Sequence, residues 1–175
     1  MRYRDLEGPE FRALYDTVFP IVYRIAYRVT EDVLVSEEQC HEAFVRYVER
    51  DGSFTDADQA KYWLIRVTKN LALNYQKRRG RERRAYERAY FEPSHPSESG
   101  ETALLKDETS ALVRAAVEKL PEKLKSVLVL KEYGELSYRD IAETLGITEA
   151  NVKVRVFRAR ERLTQLLEEG DVYVP

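Results

Sequence analysis

The stretch LSYRDIAETLGITEANVKVRVFRARERL, from Leu136 to Leu163, decides how the C-terminal half of the chain folds. It predicts two helices joined by a tight turn. Ser137 and Thr148 have the side chains of N-caps, and Gly146 lies where the first helix must end with a positive φ. The second helix places apolar residues at every third or fourth position, which predicts one buried stripe: Val152, Val156, Ala159 and Leu163.

Most cations of that second helix fall off the apolar stripe, and Glu161 is the only acid among them. In a helix-turn-helix the first helix braces the second, and the second presents long cationic side chains to a DNA groove. An ordinary helical hairpin with a solvated charged face is the alternative. The shortage of acids favours DNA binding over that alternative.

Composition conceals a strong segregation of charge. The 175 residues carry a net charge of -2, yet cations cluster at 77–84 and again at 153–162, with acids between them. Two basic surfaces separated by an acidic connector suit a protein that contacts DNA twice. Unevenly distributed solvated charge remains the alternative at this level.

The sequence predicts no enzyme, and accordingly no catalytic residue, metal or cofactor. Cys40, His41 and His95 are too few to form a disulfide or a structural zinc site. Cys40 and His41 are adjacent, and neighbours on a helix point about 100° apart, so they do not form a nucleophile and base. Without a cleavable leader or an apolar run near 20 residues, we expect a cytoplasmic chain with no membrane insertion.

The chain as a whole is predicted to be all-α, with two small helical domains joined by a flexible linker. We place the domains at 1–89 and 105–169 and the acidic linker at 90–104, where prolines and serines replace apolar residues. We expect the two domains to be freely hinged in the unbound protein.

Three helices are expected in the first domain. Pro20 should kink or interrupt the first helix, Ser36 should open the second, and the third should begin near Asp56 or Ala57. In the second domain, Pro121 can serve as the first residue of a new helix.

With both halves in view, the chain resembles the sigma-70 family, specifically the extracytoplasmic-function (ECF) sigma factors of bacterial RNA polymerase. SEEQCHEAF at 36–44 is similar to the family's region 2.2, and YWLIRVTKNLALNYQKRRGR at 62–81 is similar to regions 2.3 and 2.4. The stretch 120–163 is similar to region 4 along its whole length without a gap. The order and spacing of these elements make the resemblance more specific than a lone helix-turn-helix.

The resemblance implies three partners: the polymerase core, through its clamp helices and flap, promoter DNA, and an anti-sigma factor. The first domain would bind polymerase, recognise the minus-ten element and melt DNA, and the second would read the minus-thirty-five element. The implied polymerase-facing residues are Glu38, His41, Glu42, Val45 and Arg46. His41 departs from the glutamine usual in the family.

For the minus-ten element and melting, Asn70 matches the family's base-capturing asparagine, and the loop at 52–60 matches the segment that reads a flipped base. Trp63 has two interpretations, a stacking platform or a core residue, and the core reading is the commoner one for such a helix. The implied phosphate contacts are Arg66, Lys69, Lys77, Arg78 and Arg79.

The implied minus-thirty-five contacts lie on the predicted recognition helix, together with one lysine from the preceding helix: Lys131, Lys153, Val154, Arg155, Phe157 and Arg158. Asn151 and Val154 replace the threonine and serine usual in the family, which leaves open which promoter sequence is read. Two rivals to the sigma-factor interpretation are a dimeric helix-turn-helix regulator that binds DNA without polymerase, and a sigma mimic that occupies polymerase or an anti-sigma factor without starting transcription.

Overall fold

The structure, a computed structural model, describes residues 8–50, 54, 56–89 and 111–169. All regular structure in these ranges is helical, which confirms the predicted all-α class. The predicted linker at 90–104 lies outside the described residues. The helices are, in chain order, α1 (Pro9–Thr30), α2 (Val33–Glu49), α3 (Ala57–Ala89), α4 (111–119), α5 (Glu122–Leu128) with a π-helical turn (Val129–Tyr133), α6 (Tyr138–Leu145) and α7 (Glu149–Glu168).

One prediction about the first three helices is wrong, and the predicted interruption at Pro20 is not found. Pro20 does not interrupt α1, because it lies on the exposed side of the helix, where water can satisfy the carbonyl that loses its backbone donor. Ser36 does not open α2. Asp32 caps that helix instead, accepting a hydrogen bond of 3.1 Å from the backbone N–H of Val35. The Ser36 hydroxyl is buried and lies 2.8 Å from that of Thr30, so it joins α2 to the end of α1.

The predicted helix-turn-helix is confirmed in its local detail. Ser137 caps α6 by accepting from the N–H of Asp140 at 3.1 Å, and Thr148 caps α7 by accepting from the N–H of Asn151 at 3.2 Å. Gly146 ends α6 with a φ of 67°, a left-handed conformation that glycine adopts without strain. Pro121 is the N-cap of α5 rather than its first residue.

The two halves of the molecule share one hydrophobic core, unlike the freely hinged arrangement expected. Ile25 of α1 and Leu64 of α3 are fully buried in the same cluster as Leu130 and Ile141 of the second half. Ion pairs border this junction: Arg24 lies 2.7 Å from Glu135, and Arg114 pairs with Glu31. Since apolar burial is the main stabilising contribution to folding, the contact between the halves is a structural element in its own right.

Candidate nucleic-acid interface

The outer face of α7 is polar, cationic and exposed. Its apolar stripe, Val152, Val156 and Ala159, is buried against the rest of the second half. The opposite side therefore faces solvent, and Phe157 remains 69% exposed there although it is a large apolar ring. Four of the predicted minus-thirty-five contacts are exposed at positions i, i+1, i+4 and i+5 of one helical face: Lys153, Val154, Phe157 and Arg158.

Lys131 and Lys153, predicted as contacts from two different helices, meet at Tyr138. The two ammonium groups lie 5.1 and 5.9 Å from the centre of its ring, within the range of a cation–π interaction. Lys131 also donates to the carbonyl of Leu136 at 3.1 Å. Sequence reasoning treated Tyr138 only as part of a motif and missed that it holds these two cations together.

Arg155 lies beside this face rather than on it. It is half-buried, and its Nε donates to the side-chain oxygen of Asn151 at 2.8 Å. Arg160 points elsewhere, toward Glu132, 2.7 Å away, and the hydrogen bond with that carboxylate raises the pKa of the guanidinium. These two arginines are therefore already engaged within the protein.

The long helix α3 exposes most of the cations and the asparagine predicted for the minus-ten region. Asn70, Lys77, Arg78 and Arg79 are all exposed, and Arg78 lies 3.6 Å from Glu82. Because 66, 70 and 77 are separated by nearly whole helical turns, Asn70 and Lys77 share a face with Arg66.

Trp63 is half-buried at the N-terminal end of α3. Its ring lies 5.7 Å from that of Phe54 and 6.4 Å from that of Tyr47, and the Arg50 guanidinium lies 5.5 Å from its centre. This packing agrees with the interpretation of Trp63 as a structural residue, with part of the ring still accessible. Of the predicted base-reading loop, residues 52, 53 and 55 lie outside the described residues, and 57–60 form the first turn of α3.

Arg66 and Lys69, which are predicted as phosphate contacts, are engaged with the second half of the molecule. Arg66 donates from Nε to the carbonyl of Thr144 and from Nη2 to the carbonyl of Glu143 at 3.3 Å, so it binds the C-terminal end of α6. Lys69 is 5% exposed, and its ammonium lies 3.1 Å from the Ser126 hydroxyl. Burial lowers the pKa of Lys69.

The N-terminal end of α6 contacts α3 through Asp140. Tyr62 donates its hydroxyl to this carboxylate at 2.9 Å, and the Lys61 ammonium lies 3.4 Å from it. Partial burial alone would raise the pKa of Asp140, but the hydrogen bonds from Ser137 and Tyr62 and the nearby lysine together lower it. Burial and the bond to Asp140 raise the pKa of Tyr62 to about 12.

The predicted polymerase-facing residues form an exposed surface on α2. Glu38, His41, Glu42, Val45 and Arg46 are all exposed, and Arg46 donates to Glu42 at 2.7 Å. On the opposite side of this helix, Cys40, Ala43 and Phe44 are buried in the core.

Comparison with known proteins decides the family. The family model described as Sigma-70 region 2 matches residues 14–82, and the model described as Sigma-70, region 4 matches residues 110–163. The chain is 35% identical over 150 residues to the RNA polymerase sigma-H factor of Pseudomonas aeruginosa. The matched stretch covers 81% of this chain and 77% of the relative. The chain belongs to the sigma-70 family. It is an RNA polymerase sigma factor that recognises promoters.

Further relatives place this sigma factor in the ECF group, as the sequence motifs predicted. It is 32% identical over 131 residues to the ECF sigma-E factor of Escherichia coli K12, with 70% of this chain and 68% of the relative covered. Its fold is similar to that of the sigma factor RpoE from Bartonella quintana, with a TM-score of 0.53 and 23% identity over 92% of this chain and 98% of the other.

In this sigma factor, the region 2 match spans most of α1, all of α2 and the larger part of α3. The region 4 match runs from α4 through the larger part of α7. Within the described ranges, no helix is long and apolar enough to cross a membrane, and no three acidic, histidine or cysteine side chains gather as metal ligands.

Sequence reasoning missed one apolar residue beside the α2 surface of the sigma factor. Leu34 is 76% exposed and is placed four residues before Glu38 and eleven before Val45, so the three lie along one helical face. The prediction that α2 begins at Ser36 put Leu34 outside the helix. Had Asp32 been recognised as the N-cap, the helical spacing would have revealed this residue.

Proposed function

We propose that this sigma factor uses three separate helices for its three tasks: α2 to bind core polymerase, α3 to capture the melted minus-ten strand, and α7 to read the minus-thirty-five element. One observation carries the proposal. The described chain combines an exposed asparagine and cations on α3 with an exposed cationic face on a helix-turn-helix, in the order of regions 2 and 4.

On α7, Arg158 offers a planar guanidinium that can grip a guanine edge or two phosphate oxygens. Val154 and Phe157 add apolar groups that suit a thymine methyl or a sugar. The lysines held by Tyr138 then contact backbone phosphates, which fix the register of the helix in the groove. Arg155 supports this face through its bond to Asn151 and is a lesser contact.

On α3, Asn70 hydrogen-bonds an unstacked base, while Lys77, Arg78 and Arg79 neutralise the phosphates beside it. Trp63 can stack on a base only with the part of its ring that the aromatic cluster leaves accessible. Arg66 and Lys69 join these contacts once they leave the second half of the molecule. Every phosphate contact should steepen the salt dependence of binding by roughly one released ion.

The exposed surface of α2 combines charged and apolar groups, which suits a partner coiled coil such as the clamp helices. The second domain would contact the polymerase flap. The Bartonella quintana protein of similar fold was solved with the anti-sigma factor NepR. We propose that this chain, too, has an anti-sigma partner. It acts in the cytoplasm, directs the polymerase and catalyses no reaction itself.

Transcription from a random promoter library, with purified core polymerase of the host in the presence and absence of this chain, tests the function. Initiation from promoters that share a minus-ten and a minus-thirty-five element is the expected outcome. Specific binding to a two-fold duplex site without polymerase would instead indicate the dimeric regulator. Polymerase binding without any specific initiation would indicate the sigma mimic.

A further inference from the structure

Asn151 and Arg155 form a fixed pair on α7, one helical turn apart. The Arg155 Nε donates to the Asn151 side-chain oxygen at 2.8 Å. Arg155 is half-buried whereas Asn151 is exposed, so the arginine is anchored in the protein and the amide remains accessible. The backbone N–H of Asn151 is fixed as well, because it donates to the Thr148 hydroxyl at 3.2 Å. The amide of Asn151 is therefore held in one orientation.

Asn151 lies on the proposed DNA-contacting face of α7. Val154 and Arg158 follow it by three and seven residues, which places the three exposed side chains along one line of the helix. Asn151 is in the first turn of α7, and in a helix-turn-helix the residues near the start of the second helix reach the base edges. Along the helix axis, Asn151 is roughly 4.5 Å from Val154, which is close to the spacing of neighbouring base pairs.

The bond to Arg155 decides which base edge this amide can read. An asparagine that pairs with adenine uses its oxygen as an acceptor and its NH2 group as a donor at the same time. Here the oxygen is bonded to a guanidinium and is not available to the N6 amino group of adenine. The NH2 group remains as the donor. Guanine presents two acceptors in the major groove, O6 and N7, whereas thymine presents only O4 beside a methyl group.

We propose that Asn151 is a specificity-determining residue that donates to a guanine of the minus-thirty-five element, and that Arg155 is the positioning residue that sets this preference. The inference rests on the proposed function of α7. The guanine belongs to the base pair next to the one that Val154 contacts, on the side away from Arg158. Without its arginine, the same asparagine reads adenine, so the pair and not the asparagine alone determines the base.

A promoter library randomised across the minus-thirty-five element tests this inference, with the full chain bound to core polymerase. The frequency of each base among the initiating promoters is compared between the starting protein and Asn151→Ala. We expect one position to favour guanine about three- to tenfold, and Asn151→Ala to remove that preference while the other positions keep theirs. If Asn151→Ala changes no position, or the position that it changes favours a base other than guanine, the proposal is overturned.

A second variant tests the role of Arg155. Arg155→Met removes the guanidinium but keeps an unbranched side chain that fills the half-buried site. The Asn151 oxygen is then free to accept, and we expect the favoured base at the same position to change from guanine to adenine. A merely structural role of Arg155 would lower initiation from all promoters alike and leave guanine favoured. That result, or a loss of guanine without a gain of adenine, would contradict the proposal.

Gln165→Ala is the matched control, because α7 carries a second amide–guanidinium pair. Arg162 donates to the Gln165 side-chain oxygen at 3.1 Å, and both residues are exposed. Gln165 lies roughly 21 Å beyond Asn151 along the helix, far from the turn that enters the groove. We expect Gln165→Ala to leave every base preference unchanged. If it removes the same guanine preference as Asn151→Ala, a change in the helix is responsible rather than a lost contact, and the proposal fails.

The outcome is distinguishable from that of the proposed function. The full chain may direct no initiation with core polymerase, while duplexes that the free chain selects from a random pool carry a guanine that depends on Asn151 and becomes adenine in Arg155→Met. The promoter function then falls and the base-reading pair stands. If initiation depends on shared promoter elements but Asn151→Ala changes no base preference, the proposed function stands and this inference falls.

Discussion

At the scale of single residues, Arg158 is exposed on the face of α7 that we propose contacts DNA. We predict that Arg158→Ala weakens binding to a minus-thirty-five duplex by about 1–3 kcal/mol, because one guanidinium fork to a base or phosphate is lost. Titrations at one fixed salt concentration would measure the change.

Arg160→Ala is the matched control for Arg158→Ala. It removes the same charge from the same helix, but its guanidinium is directed at Glu132 rather than along the face proposed to contact DNA. We expect binding to change by less than half of the Arg158 effect. Equal losses from both substitutions would mean that α7 contributes general positive charge and no specific contact.

Cys40 illustrates a residue whose chemistry is suppressed by its location. It lies on the face of α2 that packs into the core and is fully buried. Burial, and to a lesser extent the charge of Glu37, raises the pKa of its thiol to about 12. We therefore predict that a disulfide exchange reagent at pH 8 leaves Cys40 unmodified in the folded protein and reacts within minutes in denaturant. Rapid labelling of the folded protein would contradict this and reopen a redox role.

At the scale of elements, local signals carried most of what the sequence could predict. Ser137, Gly146 and Thr148 act on neighbours within four residues, so caps and turn were readable without knowing the fold. The stripe on α7 was readable for the same reason. The start of α2 was not, because Ser36 and Asp32 are both good cap residues, and the contact that assigns Ser36 to the core is its bond to Thr30.

The α2 surface offers a prediction at this scale. The double change Glu42→Arg with Arg46→Glu reverses the charges of the exposed face but keeps the pair that now joins these residues at 2.7 Å. We expect helix content to be preserved and affinity for core polymerase to fall at least about tenfold, or roughly 1.4 kcal/mol. A polymerase titration would measure it, and undiminished binding would remove these residues from the interface.

Leu34→Asp tests whether the same α2 surface extends to the start of the helix. Leu34 is already 76% exposed, so the change costs little folding stability, whereas loss of an apolar contact with a partner helix should weaken polymerase binding several-fold. Val33→Asp, at the neighbouring half-exposed position, is the control for added charge. Equal effects of the two changes would indicate general repulsion.

At the scale of the whole molecule, the sequence was misleading about the relation between the halves. The composition of the linker predicted two freely hinged domains. The cations on α3 were predicted to contact DNA. Neither pattern reveals that Arg66 and Lys69 face a second surface, because that contact depends on how α6 and α5 dock. Long-range packing of this kind leaves no periodic signal in either segment, since each helix remains amphipathic by itself.

The packing of the two halves against each other should depend on pH through Asp140, which lies at their contact. The pKa of Asp140 is lowered where the two halves pack together. The carboxylate therefore stabilises this packing at any pH above the pKa that it has when the halves are apart. That contribution is lost as pH falls through the lowered pKa. Distances between spin labels attached to α1 and α7 should therefore lengthen as the solution is acidified from neutral pH. Glu31 and Glu135 also pair with arginines across the same junction. Asp140→Asn isolates the contribution of Asp140: it should be more open at neutral pH and respond less steeply to acid. An identical acid response with and without the carboxyl group would show that the opening does not depend on Asp140.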